Sequence, residues 1–546
     1  MLRSTLSVGC ISVALMSAIS SQAAPLDTSY TYKAKNTCTG TYPSYWQDPA
    51  FPQMWEGQMI SNVPSPQWKG PVFKLSDQYP RQPVNEPDQP WRASKFDALF
   101  DKNTDQPTRK QLAIEYSDLV MTYIQQGNVN RPGVEDWDVC NNPYRPWFSI
   151  PFQTYDAMSG REFTHGLTRE APVTFVTSVG NVSGTMWAVA FYNATAAYTL
   201  GQVWQADGTA KIPTEDMAFY EGAVIGKPLF TTLNAEQLPF LKNMPTWQAN
   251  ISNPEFCNCT PDKGDECTLV EESQQCPRST KAWNDVALLQ FDFAVKDSRA
   301  PDTQWVFGTY VADGMRKAKE ADPWQRISLL GLMWGNDTPP KGQLAYNNPK
   351  DPKANGFQEA VIIWDTVNEL NAYHSWNNYR QFPGHLGCNF RLNGPADNAN
   401  SSCMSCHGTA SVPDQNLETP PLLSQFSSMT KECVTPDAND PNKGIDRTGA
   451  SATVVNNVSF SAMDGIYFAN TPAGQPFQMM AQTPDGLINV MGEGVPSYED
   501  STRKNWISLD YSLQLSISLS QWMQWQNNKA ARAEGRIHLK EIRRNQ

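Results

Sequence analysis

The runs Val173-Thr-Phe-Val-Thr177 and Met186-Trp-Ala-Val-Ala-Phe-Tyr192 decide the architecture. β-branched and aromatic residues fill both, and Gly, Asn and Asp residues around them supply turns, which is the pattern of short strands meeting in hairpins. It covers residues 172–232 and returns at 287–296, 304–311, 329–334 and 360–364. The middle of the chain is therefore expected to be mostly sheet. Upstream, Leu112, Ile114, Leu119, Val120, Tyr123 and Ile124 recur at helical spacing and predict an amphipathic helix over 108–125 that ends near Gly127. Residues 25–110 are rich in Pro, Trp and Tyr with little periodicity, and read as an extended covering segment. Towards the C-terminus Ile507, Leu509, Tyr511, Leu513, Leu515, Ile517 and Leu519 alternate with polar residues, as in a half-buried strand, yet Leu509, Leu513 and Ile517 also satisfy a helical i, i+4 spacing. Strand and helix both remain open there. The fold class is α+β: a large sheet-rich body followed by a C-terminal region of mixed or helical structure. No repeat of 20 to 50 residues is present, which argues against solenoids and propellers.

The first residues carry a different signal. Arg3 precedes an apolar run through Val8, Ile11, Val13, Ala14, Leu15 and Met16, and a small polar stretch from Ser17 to Ala24 follows. That order reads as a secretory signal peptide over residues 1–23, with Ser21 and Ala23 at the small-residue positions before the cut. A membrane anchor is the bland alternative, but the run falls well short of the ~20 apolar residues a spanning helix needs. Cys10 lies inside this run with Ser7 three residues before it, which does not match a lipoprotein signal. No later stretch is long and apolar enough to span a bilayer, so no transmembrane segment is expected in the mature chain. A formal charge of −12 and a pI near 5 argue against nucleic acid or anionic lipid as the main partner. The exception is a basic tail through Lys529, Arg532, Arg536, Lys540, Arg543 and Arg544, most simply a solvated helix end.

Removing the signal takes Cys10 and leaves Cys38, Cys140, Cys257, Cys259, Cys267, Cys276, Cys388, Cys403, Cys406 and Cys433. Cys257, Cys259, Cys267 and Cys276 sit in a polar stretch with Asp262, Lys263, Gly264, Asp265 and Glu266, an insertion at 257–276 that cannot build its own core. Disulfides are expected there, because an exported chain folds where they form. A four-cysteine zinc site is the rival, but the paired C-x-x-C knuckles of such sites are missing.

The segment Asn398-Ala-Asn-Ser-Ser-Cys403-Met-Ser-Cys406-His407-Gly408 carries the chemistry. Asn400 or Ser401 can cap a short helix, whose first turn puts Cys403 and Cys406 three residues apart on one side. Two thiols facing one flat object suit a porphyrin with two vinyl groups, and His407 follows directly as an iron ligand. With 11 Cys and 5 His in 546 residues, chance yields a C-x-x-C-H string in roughly two of a thousand such chains. The rival is a redox C-x-x-C of thioredoxin type. That motif follows a buried strand in a βαβ unit, whereas Leu392-Asn-Gly-Pro-Ala-Asp-Asn398 reads as loop.

Through Cys403, Cys406 and His407 the chain resembles the c-type cytochromes. More loosely, Gly160-Arg-Glu-Phe-Thr-His-Gly-Leu-Thr-Arg169, Trp305-Val-Phe-Gly-Thr-Tyr310 and the Cys403 segment together resemble a group of large exported single-haem proteins without an assigned role. The resemblance implies one covalent haem c and a periplasmic, bacterial setting, since attachment takes place outside the cytoplasm. The partner is then a redox protein or a small-molecule electron donor or acceptor. It implies a division into a body at 24–385 and a cytochrome c-like haem-binding region at 386–546. The chain departs from small cytochromes c, where the attachment site lies near the start of a compact helical domain.

The second axial ligand separates two functions. A side chain that closes the iron makes an electron carrier, the favoured reading; an open position makes an enzyme or a sensor of peroxide, oxygen or a small organic molecule. Met463 is the first choice for that ligand, with Met479, Met480, His374 and His385 as alternatives. Glu162 and His165 have the E-x-x-H spacing of di-iron bundles, but no second copy exists. No G-x-S-x-G elbow, phosphate-binding glycine loop or H-E-x-x-H helix is present.

Overall fold

The computed structural model describes, with short gaps, residues 79–151, 168–249, 284–337, 356–374, 385–413 and 506–533, together with isolated strand pairs elsewhere. A nine-stranded antiparallel sheet runs through this part. Its strands are β1 (Thr168–Arg169), β2 (Met186–Ala188), β3 (Phe191–Tyr192), β4 (Val224–Thr231), β5 (Thr246–Ala249), β6 (Asn284–Lys296), β7 (Trp305–Ala312), β8 (Ile327–Met333) and β9 (Ala360–Ile362). The path is β9-β8-β7-β6-β4-β2-β1, with β3 also on β4 and β5 also on β6. Helices join the sheet, so the described residues combine the two element types as the composition of the runs predicts.

Both faces of the sheet are covered, which explains why its strands read as almost continuous apolar runs instead of clean alternation. On one face lies α1 (Gln106–Gln125), whose N-cap Asp105 accepts from the Thr108 amide at 2.9 Å. It buries Ala113, Tyr116, Val120, Tyr123 and Ile124 in one cluster with Trp137, Phe191, Phe291 and Phe293. The opposite face carries Ile225, Ala294, Trp305, Phe307, Leu330 and Met333, and covers itself with α2 (Ala194–Val203), α3 (Trp364–His374) and the segments around residues 386–412 and 507–519. The described residues on either side of residue 385 thus share one apolar cluster.

Gly308 shows how tightly the first face is packed. It pairs with Phe293 across β6 and β7, and a Cβ added there would stand 2.2 Å from the Phe293 ring. The far end of the ring occupies the space that glycine leaves. Gly308→Ala should therefore destabilise the protein by about 1–3 kcal/mol through overpacking, read as a lower urea midpoint at unchanged slope. An unchanged midpoint would mean that Phe293 swings aside freely.

The ambiguous C-terminal stretch resolves into both elements. Trp506–Ser508 is a strand, Asp510 and Tyr511 take left-handed backbone angles (φ 51° and 62°), and a helix follows over Leu513–Ala533. The strand pairs with Ser411–Pro413, just after the Cys403 segment. Leu515, Leu519 and Met523 then repeat every fourth residue on the buried side of the helix.

In the cysteine-rich insertion Cys257–Cys259 pairs antiparallel with Cys267–Leu269, placing Cys259 opposite Cys267. The cysteine side chains expected in disulfides, the signal residues 1–23 and most of the basic tail lie outside the described residues. No described helix is long and apolar enough to cross a membrane.

Candidate functional site

The cysteine pair sits on α4 (Cys403–His407), a helix of one and a half turns. Its cap is Ser402, one residue after Ser401 and two after Asn400, the caps the sequence suggests. Ser402 has extended backbone, its hydroxyl accepts from the Ser405 amide, and the Ser405 hydroxyl accepts from the Ser402 amide at 2.8 Å. This reciprocal box needs a polar residue at the third helical position, and only Ser402 has Ser405 there. The Cys403 amide donates to the Leu392 carbonyl at 3.0 Å, which ties the turn to the loop before it. Met404 and Ser405 point into the protein, buried, while Cys403, Cys406 and His407 face a common cavity.

That cavity has a volume of about 390 Å³, within the ~300–1,000 Å³ range of cofactor sites. Its floor is the sheet. Strand register sets two cross-strand rows there: Lys227, Asp292 and Thr309, then Ile225, Ala294 and Phe307. The first row is polar and the second apolar. Leu513, Gln514 and Ile517, from the start of the C-terminal helix, close another side.

His407 is held from two directions. Its ring lies 4.5 Å from that of Phe307, and Nδ1 is 2.9 Å from the Tyr511 carbonyl. A carbonyl oxygen can only accept, so Nδ1 carries the proton and Nε2 keeps its lone pair. Burial pushes the imidazole down to about 4, against the Tyr511 carbonyl, which favours the charged form; Lys227 lowers it further. A neutral ring with Nδ1 donating is the form in which histidine binds a metal.

Tyr511 is positioned by its neighbour. Asp510 is buried and accepts from Lys296 Nζ at 2.7 and 2.8 Å, from Trp305 Nε1 at 3.1 Å and from the Phe219 amide at 2.8 Å. Four bonds to one carboxylate fix a turn that would otherwise resist its two left-handed residues. Nothing in the Lys296 or Asp510 sequence neighbourhood announces this.

The family, curated-protein and solved-structure comparisons return no match for this chain. The donor set must therefore speak for itself. Both cysteines are free thiols. Burial, then the charges of Asp292 and Asp397, push the Cys403 thiol well above its usual range. That opposes a thioredoxin-type role, which needs a depressed thiol. Among the described residues no three His, Cys, Asp or Glu are grouped to hold a bare metal ion. A mainly apolar cavity with two sulfurs on one edge and one neutral imidazole suits a flat, covalently tethered macrocycle whose metal takes a single nitrogen from this side.

Of the other candidates, Met463, Glu162 and His165 lie outside the described residues, as do the side chains of His374, Met479 and Met480. His385 is buried against Phe240, with ring centroids 5.4 Å apart, and does not line the cavity. Sequence reasoning missed Lys227, Glu170, Asp292 and Asp397. The only trace was Gln290 and Asp292 alternating with Phe291 and Phe293 inside an apolar run, which marks polar side chains on an otherwise buried face.

Proposed function

We propose that this chain is an exported electron-transfer protein carrying one covalent haem c, tethered through Cys403 and Cys406 and ligated by Nε2 of His407. The observation that carries the reading is convergence: both sulfurs and a neutral imidazole with its outer nitrogen engaged face one cavity on the sheet. A bound haem c supplies a one-electron couple at its iron. The protein's share of the work is to orient and to exclude water. The Tyr511 carbonyl fixes the ring plane and tautomer of His407, Phe307 packs beside it, and the sheet row Ile225, Ala294 and Phe307 gives an apolar wall. Little rearrangement on gain or loss of one electron is what a carrier requires. The signal peptide and the setting it implies belong to the same proposal, with a redox protein or small redox molecule as partner.

The far-side ligand proposed from sequence is Met463. Optical spectra of the ferric and ferrous protein, with and without carbon monoxide, test the carrier reading. A low-spin spectrum that the gas leaves unchanged is the expected result. A high-spin ferric form whose reduced state binds carbon monoxide at once would replace the carrier by a ligand-binding protein or enzyme.

A further inference from the structure

We infer that Asp292 and Asp397 form a redox-linked proton site, taking one proton from solvent when the cavity gains an electron and releasing it when the electron leaves. The inference rests on the haem reading above and deepens it.

The pair is built by the fold. Asp292 stands on β6 in the polar cross-strand row, and Asp397 comes from the loop before α4. One amide joins them: Gln290 Nε2 donates to Asp292 Oδ2 at 2.7 Å and to Asp397 Oδ2 at 2.8 Å. The amide is itself fixed, because Gln290 Oε1 accepts from the Ala396 amide at 3.0 Å. Asp292 Oδ1 is buried without a hydrogen-bond partner at ordinary geometry, and the Thr309 hydroxyl beside the carboxyl offsets its burial only in part. Such an oxygen is costly when charged and comfortable when protonated. Two buried carboxylates sharing one donor do not both ionise readily, and one proton serves the pair. Burial, followed by the Asp397 charge, holds Asp292 well above the usual carboxylate range.

The surrounding groups leave this balance open. From β4, Lys227 is the one cation among the described residues that line the cavity, and Glu170 already engages it at 2.9 Å. From β7, Thr309 and Phe307 are uncharged; from the C-terminal helix so are Leu513, Gln514 and Ile517; from α4 come the Cys403 thiol and the neutral His407. Thr309 is the strand partner of Asp292 and its hydroxyl stands 4.0 Å from Cys403 Sγ. Both aspartates act on that sulfur electrostatically. A group tethered at Cys403 is therefore within their reach through a medium that screens poorly.

The balance is simple. A redox protein or small reductant gives one electron to the tethered group, water gives one proton to the aspartate pair, and no other bond changes. Because the proton binds more tightly beside the reduced group, the midpoint potential falls as pH rises through the window between the pair's two affinities.

The test is a potentiometric titration of the haem-loaded full chain from about pH 5 to about pH 10, which brackets raised carboxylates. The wild type should lose up to about 59 mV per pH unit, the equivalent of a tenfold affinity change for one electron. Asp292→Asn and Asp397→Asn should each flatten that slope. Proton uptake on reduction, followed with an indicator dye in unbuffered wild-type protein, gives a second readout that needs no variant. A flat wild-type profile without proton uptake overturns the inference, and so does a slope that both variants preserve. A chain whose intact mass shows no haem overturns the haem reading as well, and the mass distinguishes that case from a loaded chain with a flat profile.

Discussion

Asp510→Ala is expected to cost the fold about 3–5 kcal/mol, because it leaves a buried ammonium without its counter-charge. Lys296 and Asp510 are only 4% and 3% exposed, and the carboxylate serves three donors at once. Removing it strands the Lys296 charge, the Trp305 indole N–H and the Phe219 amide in the interior, and each unmet group keeps its full desolvation cost. Urea unfolding followed by tryptophan fluorescence reads the loss as a shift in midpoint. Lys296→Met combined with Asp510→Leu should recover the share that comes from the widowed charge, while the Trp305 indole N–H and the Phe219 amide stay unmet. A loss below about 1 kcal/mol in the single variant, the range of solvated pairs, would mean that water reaches Lys296. The same substitution also loosens the turn that aims the Tyr511 carbonyl at His407, so stability and the histidine's orientation share one residue.

That link was not legible in the sequence. Asp510 and Lys296 read as unremarkable polar residues, and only the meeting of β6 with the turn after Trp506–Ser508 joins them. What could be read were local regularities. The strand runs near 287–296 and 304–311 appear at Asn284–Lys296 and Trp305–Ala312, and the helix expected over 108–125 spans Gln106–Gln125. Ile507 to Leu519 could not be assigned because alternation and i, i+4 spacing coexist there. Two left-handed residues at 510–511 let the chain use one pattern and then the other.

The site divides in the same way. Cys403, Cys406 and His407 are contiguous, so one helical turn brings them together and their spacing is sufficient evidence of a shared face. Lys227, Asp292 and Thr309 become neighbours only through the register of three strands, and a shift of one residue would send each to the other face of the sheet. Asp397 joins them through a loop with no periodicity. The signal for the proposed haem tether is thus local, whereas the charges around it are a property of the tertiary fold.

Loss of both sulfurs has the largest functional effect expected here. Cys403→Ala with Cys406→Ala leaves α4 its Ser402 cap and its buried Met404, so the turn should still form, while the covalent link goes entirely. His407 alone could retain haem only reversibly. The central claim is then tested by expressing the full chain in a host that attaches haem to exported proteins, denaturing it, extracting with acidified solvent and measuring the intact mass. The expected result is a wild-type chain that stays coloured and heavier by one haem, and a double variant with the mass of bare polypeptide. A wild-type chain that gives up all its haem to the solvent, or never carries any, would contradict the account.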